Sequence, residues 1–216
     1  MGSVKDIVEE MREEYLASCR DHLAGIQGML DDSTGLQADG YNLVQRTVHS
    51  IKGSAYTFGL PEMSVLCAAW ESQMKRARLD DSLADRLLQW QRFAAIYAAL
   101  LSGAKAPQSA VPSDGITTTA LVWSPFASNR AALRPRAAAL ATTVVVAATD
   151  REALIAASSD NVSAIVGDTG DDSELDAAGR ARLVAAAAAG LGVPWYCDRL
   201  TPESREPFVA RGAQPL

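Results

Sequence analysis

The sequence contains few of the residues that build disulfide-bonded folds or metal centres. Its 216 residues include three cysteines, Cys19, Cys67 and Cys197, and two histidines, His22 and His49. The cysteines are odd in number and far apart, and they form neither a Cys-x-x-Cys pair nor a zinc-binding spacing with the histidines. We therefore predict no metal site, and we interpret the cysteines as small core residues in a reducing cytoplasm.

Long apolar runs and an excess of basic charge are also missing. The chain has no stretch of about 18 apolar residues, and residues 1–5 do not open a signal peptide. Its net charge of −6 argues against nucleic acid and against an anionic membrane as partners. An apolar content of 48% is enough for one large or two small cores. We therefore expect a cytoplasmic globular protein.

The most informative stretch runs from about residue 40 to residue 58. Apolar residues there recur three or four apart and predict a helix with one buried face, formed by Val44, Val48, Ile51, Ala55 and Phe58. His49 lies about 150° from the centre of that face, so we expect an exposed imidazole. Lys52 and Gly53 follow at i+3 and i+4 and share its face. A glycine inside a helix costs about 1 kcal/mol relative to alanine, which indicates that the space is needed.

These residues resemble a known signature. The segment His49-Ser-Ile-Lys-Gly-Ser-Ala, followed by Phe58-Gly-Leu, is similar to the motif of histidine-containing phosphotransfer (HPt) domains of multistep phosphorelays, over about the first 100 residues. The resemblance implies a four-helix bundle in which His49 takes a phosphoryl group from a receiver aspartate and passes it on. Lys52 would neutralise phosphoryl oxygens, and Gly53 would leave room for the approaching group. The alternative is an ordinary surface histidine.

The resemblance also assigns supporting residues. In the family, an acidic or amide residue on the adjacent helix, about 22 positions after the histidine, faces the phosphoryl site. Glu71 stands at that position and either holds the second imidazole nitrogen or is a solvated charge. Gln45 is the other supporting residue that we assign. Lys75 either helps to recruit an acidic receiver surface or lies at a solvated helix end, and His22, which lacks a motif, is interpreted as structural.

Apolar periodicity predicts further helices around this stretch. The segment Val4–Leu30 predicts one or two helices, with Ile7, Val8 and Met11 among its apolar positions. A helix beginning at Pro61 and another beginning near 80–82 complete an all-α four-helix bundle over residues 1–103. Residues 104–115 are rich in proline and small residues and are predicted to be a linker.

In the second half, residues 116–216, short apolar runs alternate with helical stretches. This alternation predicts an α/β fold with a doubly wound parallel sheet. The predicted buried strands are Thr119–Trp123, Thr142–Ala147, Ala164–Val166 and Pro194–Cys197, and the predicted helices are about 129–140, 151–158 and 173–191.

This order resembles the receiver domains of response regulators, which are flavodoxin-like. The stretch 143–154 is similar to a second strand and helix, and 164–168 to a third strand that ends at the phosphoacceptor position, here Asp168. However, Ser124 and Pro125 stand where an acidic pair is expected to bind magnesium. No hydroxyl residue follows the fourth strand near Cys197.

The chain also ends where a fifth strand and its lysine are expected. We therefore predict an incomplete or degenerate receiver-like domain that serves docking, dimerisation or regulation, from a shortened fold or a fragment of a protein with a further output domain. Asp168 is either a vestigial phosphoacceptor or a turn residue. We interpret the nearby Asp171, Asp172 and Glu174 as a solvated loop rather than metal ligands.

Together these patterns predict a phosphohistidine carrier rather than a self-contained enzyme. The sequence has no nucleotide-binding glycine loop, kinase catalytic motif or Gly-x-Ser-x-Gly elbow. The expected partners are receiver domains and a sensor histidine kinase pathway, and a homodimer is left open. No cofactor is expected, because Mg²⁺ would be bound by the partner receiver. His49 must then exchange phosphate in trans. The alternative is a non-catalytic docking or scaffold protein of a two-component pathway.

Overall fold

The computed structural model describes residues 4–31, 38–76, 83–108, 118–159, 161–168, 175–197 and 208–215. The chain divides into two compact units, Met1–Ala94 and Ala95–Leu216. This division falls within the helix Leu83–Ser102, whereas the sequence places the boundary at residue 103. The boundary and the linker at 104–115 remain predictions, and residues 109–115 lie outside the described part of the chain.

Four helices occupy the described residues from 4 to 102. They are α1 (Val4–Asp31), α2 (Ala38–Ala55), α3 (Pro61–Arg76) and α4 (Leu83–Ser102). The first segment is therefore a single helix. Gly59 has a φ of +70° in the turn between α2 and α3, a conformation that glycine adopts without strain. The predicted start of the last helix at 80–82 lies outside the described residues.

The core of the first unit forms as the apolar period predicts, except at Phe58: α2 ends at Ala55, and Phe58 lies half-buried in the turn that follows. On α2 the side chains of Val44, Val48, Ile51 and Ala55 are all buried, and α1 adds Cys19, Leu23, Ile26 and Leu30. Aromatic pairs connect further helices, because Tyr41 packs on Trp90 and Trp70 stacks on Phe93 with ring centroids 5.5 Å apart. The three cysteines are buried and form no disulfide bond, in line with their interpretation as core residues.

The helix predicted at the beginning of the chain is present, but its first apolar positions do not lie in the core. Ile7, Val8 and Met11 are about half exposed rather than buried. The cause is length: α1 has 28 residues and α2 has 18, so at 1.5 Å per residue part of α1 extends past the helix on which it packs. Val8 and Met11 line an open apolar pocket of about 420 Å³ together with Phe58.

The second unit is a parallel sheet with helices on both faces. Its elements are β1 (Thr119–Trp123), α5 (Ala127–Ala137), β2 (Thr143–Ala147), α6 (Asp150–Ser159), β3 (Val162–Gly167), α7 (Ala177–Leu191), β4 (Trp195–Cys197) and β5 (Ala213–Pro215). The strand order β2-β1-β3-β4-β5, with all pairs parallel, is the flavodoxin-like doubly wound order. The predicted α/β class is therefore confirmed.

Two strand predictions are corrected by this sheet. The fifth strand, expected to be missing, is present as β5, which pairs with β4. It has only three residues and ends in a proline, which an edge strand tolerates, so its apolar pattern was too short to recognise. The sequence predicts a buried second strand, but β2 is the other edge strand, with Thr143 and Val146 exposed.

A buried polar cluster connects one face of the sheet to its helices. The Asp150 carboxylate at the start of α6 accepts hydrogen bonds from Trp123 Nε1 at 2.8 Å and from Arg180 Nε at 3.1 Å. Asp150 and Arg180 are both almost fully buried. The ion pair therefore joins α6 to α7, and the hydrogen bond from Trp123 connects both helices to β1.

Candidate functional site

The imidazole of His49 lies on the solvent side of α2. Its side chain is 66% exposed, so the exposure predicted from the helical period is confirmed. Its Nδ1 atom lies 3.0 Å from Oε1 of Glu71, on the neighbouring helix α3. The structure therefore brings together the two residues that the sequence placed 22 positions apart.

Glu71 is the centre of a small network of charges. Its side chain is only 8% exposed, and three basic side chains contact its carboxylate. His49 Nδ1 and Lys75 Nζ lie 3.0 and 2.8 Å from Oε1, and Lys52 Nζ donates to Oε2. Glu71 is therefore a buried, multiply bonded carboxylate and not a solvated charge.

These contacts lower the pKa of the Glu71 carboxyl from 4.5 to about 2. The hydrogen bond from Lys52 has the largest effect and that from Lys75 follows; burial opposes both, and the bond to His49 adds a smaller decrease. Glu71 is therefore ionised at neutral pH. An ionised carboxylate only accepts hydrogen bonds, so a neutral His49 donates its Nδ1 proton and keeps the lone pair on Nε2. Among the described contacts, none involves Nε2.

The geometry of the α2–α3 hairpin fixes this pairing. Ser64 Oγ donates to the carbonyl of Lys52 at 2.9 Å, close to the turn. Tyr41 OH donates to the carbonyl of Met74 at 2.8 Å, at the far end of the hairpin. The His49–Glu71 pair lies between these two bonds. Because the hairpin is held on both sides of the pair, the two side chains meet without a flexible loop between them.

Gly53 is exposed on α2, one turn after His49. A Cβ atom at this position would meet nothing within 4 Å, and its backbone is not in the left-handed region. Neither packing nor backbone conformation therefore requires a glycine here. The space that it leaves is on the surface, next to the imidazole.

Two further residues that the sequence singles out, Gln45 and Lys75, differ in their contacts from what the sequence predicts. Gln45 is half-buried one turn before His49, and no described hydrogen bond joins its side chain to the network. For Lys75 the sequence predicts either a recruiting residue or a solvated helix end; in the structure it contacts Glu71, with its side chain 61% exposed. The i, i+4 spacing of Glu71 and Lys75 is the signal that would have identified this contact.

Asp168 directly follows β3 in the second unit and is buried. Its Oδ2 atom accepts hydrogen bonds from the Ser124 hydroxyl and, at 2.9 Å, from Asn129 Nδ2. Ser124 therefore bonds to Asp168 from the position where an acidic pair was expected. Within the described ranges no group of three or more potential metal ligands is found. Asp171, Asp172 and Glu174 lie outside those ranges.

The helical region at the beginning of the chain matches a known family model. Residues 10–103, which span α1 to α4, match the family model described as Hpt domain. Hpt domains are histidine phosphotransfer carriers of phosphorelay signalling, are generally not enzymes, and interact with receiver domains and histidine kinases. The match does not extend to the second half, so its receiver-like character remains a prediction. No match to the chain was found among curated proteins or solved structures. Among the described helices, none has the length and apolarity to cross a membrane.

The low pKa of Glu71 predicts how acid affects the first unit. A carboxyl whose folded pKa is lowered stabilises the fold above its ordinary pKa, and this contribution is lost as the pH falls from 4.5 to about 2. We expect Glu71→Gln to remove about 1–2 kcal/mol of this acid-dependent stability, less than the full shift implies because two of its three partners are largely exposed.

Hydrogen exchange of the α2 and α3 amides between pH 5 and pH 2 measures this loss, and a carboxyl-carbon NMR titration measures the pKa directly. Lys52→Met should raise the pKa of Glu71 more than Lys75→Met does. Glu13→Gln, on the exposed face of α1, is the matched control and should keep the acid dependence of the wild type. Equal acid dependence of Glu71→Gln and the wild type would contradict the role assigned to this carboxylate.

Proposed function

We propose that His49 accepts a phosphoryl group from an aspartate of a receiver domain and passes it to another receiver. The main support is the geometry of the imidazole. The ring is exposed, and its Nδ1 donates to an ionised, buried carboxylate, so the lone pair resides on Nε2. A nucleophilic histidine needs access, a nitrogen with an available lone pair and a fixed orientation; exposure gives the first, and the contact with Glu71 directs the lone pair of the neutral ring to Nε2 and orients the ring.

In the proposed step, Nε2 of His49 attacks the phosphorus of the aspartyl phosphate. The N–P bond forms while the P–O bond to the aspartate breaks, and its electron pair leaves with the carboxylate. The Nδ1 proton stays on the ring, which then carries a positive charge, and Glu71 lies 3.0 Å away to offset it. Transfer to the next receiver reverses the same bonds.

Lys52 is proposed to balance the charge of the phosphoryl group. Its ammonium group is bound to Oε2 of Glu71, the other oxygen of the carboxylate that holds His49. This contact keeps a cation beside the imidazole before any phosphate arrives. A prepositioned cation stabilises developing negative charge without having to reorganise first.

Gly53 is proposed to give the partner domain room to approach. The fold of this chain does not need the glycine, because a Cβ atom would meet nothing within 4 Å. A second protein that brings an aspartyl phosphate to His49 does need the space. Gln45 receives no role in this proposal, since no described contact joins it to the network.

The partners that we propose are receiver domains and, through them, a sensor histidine kinase pathway. The protein acts as a carrier, because it holds the phosphoryl group between partners and needs no nucleotide. The Mg²⁺ that such transfer requires would be bound by the receiver partner, so the carrier needs no cofactor of its own. A cytoplasmic location follows from this choice of partners and is part of the proposal.

For the second unit we propose docking, dimerisation or regulation rather than phosphoryl transfer. Asp168 Oδ2 is engaged by a hydroxyl and an amide, where magnesium chemistry would need further carboxylates. The phosphoryl group on His49 would then come from, and go to, other proteins.

The first experiment tests His49. A cognate receiver carrying ³²P-aspartyl phosphate should label the wild-type chain, and His49→Gln should reduce the label at least about a hundredfold, because no nucleophilic nitrogen remains at the site. The label should be lost in acid and retained in base, as expected of a phosphohistidine.

His22→Gln is the matched control, since His22 is the second of the two histidines and lies exposed on α1. It should be labelled like the wild type. Label that persists in His49→Gln would overturn the assignment. If a receiver binds the wild type and His49→Gln equally well and neither is ever labelled, the non-catalytic scaffold becomes the better description.

A second prediction concerns Gly53. Gly53→Leu should raise the free energy of unfolding by up to about 1 kcal/mol, because leucine favours a helix and the site is open. It should also slow phosphotransfer about tenfold or more, because the side chain stands where the partner approaches.

Stopped-time labelling gives the rate of transfer, and urea unfolding gives the stability. Gly28→Leu on α1 is the matched control, since a Cβ atom there also meets nothing within 4 Å. It should gain similar stability without a change in rate. A Gly53→Leu variant that transfers at the wild-type rate would refute the clearance argument.

A third prediction concerns Asp168. Asp168→Ala should destabilise the second unit by about 1–3 kcal/mol, because it leaves Ser124 and Asn129 without their acceptor, while the labelling of His49 stays unchanged. Acetyl phosphate with Mg²⁺ should give His49→Gln no hydroxylamine-sensitive phosphate. If His49→Gln does carry such a phosphate, and the double variant His49→Gln/Asp168→Asn does not, Asp168 accepts phosphate.

A further inference from the structure

We propose that Lys75 is a positioning residue that sets how firmly His49 holds its phosphoryl group, and that it acts through the carboxylate oxygen that both residues share. This inference rests on the proposed function of His49. It assigns a role to a side chain that lies beyond the His-x-x-Lys-Gly motif.

The sharing is a matter of geometry. Oε1 of Glu71 accepts from Lys75 Nζ at 2.8 Å and from His49 Nδ1 at 3.0 Å, whereas the contact of Lys52 is with Oε2. Lys75 and Glu71 are one turn apart on α3, so the helix holds the lysine beside the carboxylate. Two donors that share one oxygen compete for its negative charge. Each hydrogen bond to Oε1 is therefore weaker than it would be without the other donor.

This competition matters most once His49 is phosphorylated. With its Nδ1 proton in place, the ring is positively charged, and the N–P bond breaks to release a neutral imidazole, which is a good leaving group. Glu71 favours this protonated state by accepting from Nδ1. Lys75 draws charge from the same oxygen, so it disfavours the protonated ring and preserves the N–P bond.

The charge balance of the site acts in the same direction. Glu71 carries one negative charge, and Lys52 and Lys75 carry one positive charge each, which leaves one positive charge beside a neutral His49. Without Lys75 that excess disappears, and a dianionic phosphoryl group loses an attractive partner. Both effects predict that loss of Lys75 makes the phosphohistidine less stable.

The experiment uses the full chain and a ³²P-labelled receiver with Mg²⁺. Two quantities are measured: the equilibrium division of label between receiver and carrier, and the hydrolysis rate of the isolated phosphorylated carrier. Lys75→Gln should lower the carrier's share and speed hydrolysis, each about two- to fivefold, the range expected for a partly exposed ion pair. Lys75→Arg should keep both quantities close to the wild-type values, because arginine has the same charge and a similar length.

Two controls separate this role from general charge effects. Arg76→Gln removes the same charge from the adjacent, exposed position and should behave like the wild type. In a Glu71→Gln background, Lys75→Gln should have a clearly smaller effect, because the shared charged oxygen is gone and only the direct attraction between the lysine and the phosphoryl group is lost.

The proposal is overturned if Lys75→Gln matches the wild type, if Arg76→Gln matches Lys75→Gln, or if Lys75→Gln has its full effect in the Glu71→Gln background. In each of these cases the wild type is still labelled, so the function proposed for His49 stands. If no receiver labels the wild type, the proposed function itself fails.

Discussion

The arrangement of the first unit depends on one carboxylate placed where water hardly reaches it. Glu71 is 8% exposed, and burying a charge at that level is costly unless it is paired and hydrogen-bonded. His49, Lys52 and Lys75 provide those bonds from two helices. The carboxylate therefore fixes more than a salt bridge: it orients an imidazole, determines which of its nitrogens keeps a proton, and holds two cations beside it.

On the same surface, the chain departs from what its own stability would favour. Gly53 sits in a helix without a packing or backbone reason, and His49 leaves its ring in solvent. Local departures of this kind are expected where a surface serves a partner rather than the fold. Gly53 and His49 both lie beside the Glu71 network. We therefore assign the open space at Gly53 and the proposed nucleophile His49 to one site.

Much of this could be predicted from the sequence, because a helical period determines which residues face the core. Val44, Val48, Ile51 and Ala55 are buried, and the exposure of His49 follows from its angle to them. The bonds that set the hairpin register, from Ser64 to Lys52 and from Tyr41 to Met74, join residues distant in sequence, so no local pattern reveals them. Ile7 is exposed because α1 is longer than the helix on which it packs, and β5 is a short strand at the edge of the sheet. Apolar periodicity encodes neither feature.

Glu71 and Asp168 show why a buried carboxylate does not define a function by itself. Basic side chains surround Glu71, and the neighbouring imidazole nitrogen remains open to solvent. The described partners of Asp168 Oδ2 are a hydroxyl and an amide, both of which donate hydrogen bonds to it. A phosphoryl group adds negative charge where it binds, and the two lysines that already contact Glu71 suit the surface around His49 to hold it. The open imidazole nitrogen and the cations beside it, rather than the buried carboxylate, are the physical reason to propose the carrier role for His49.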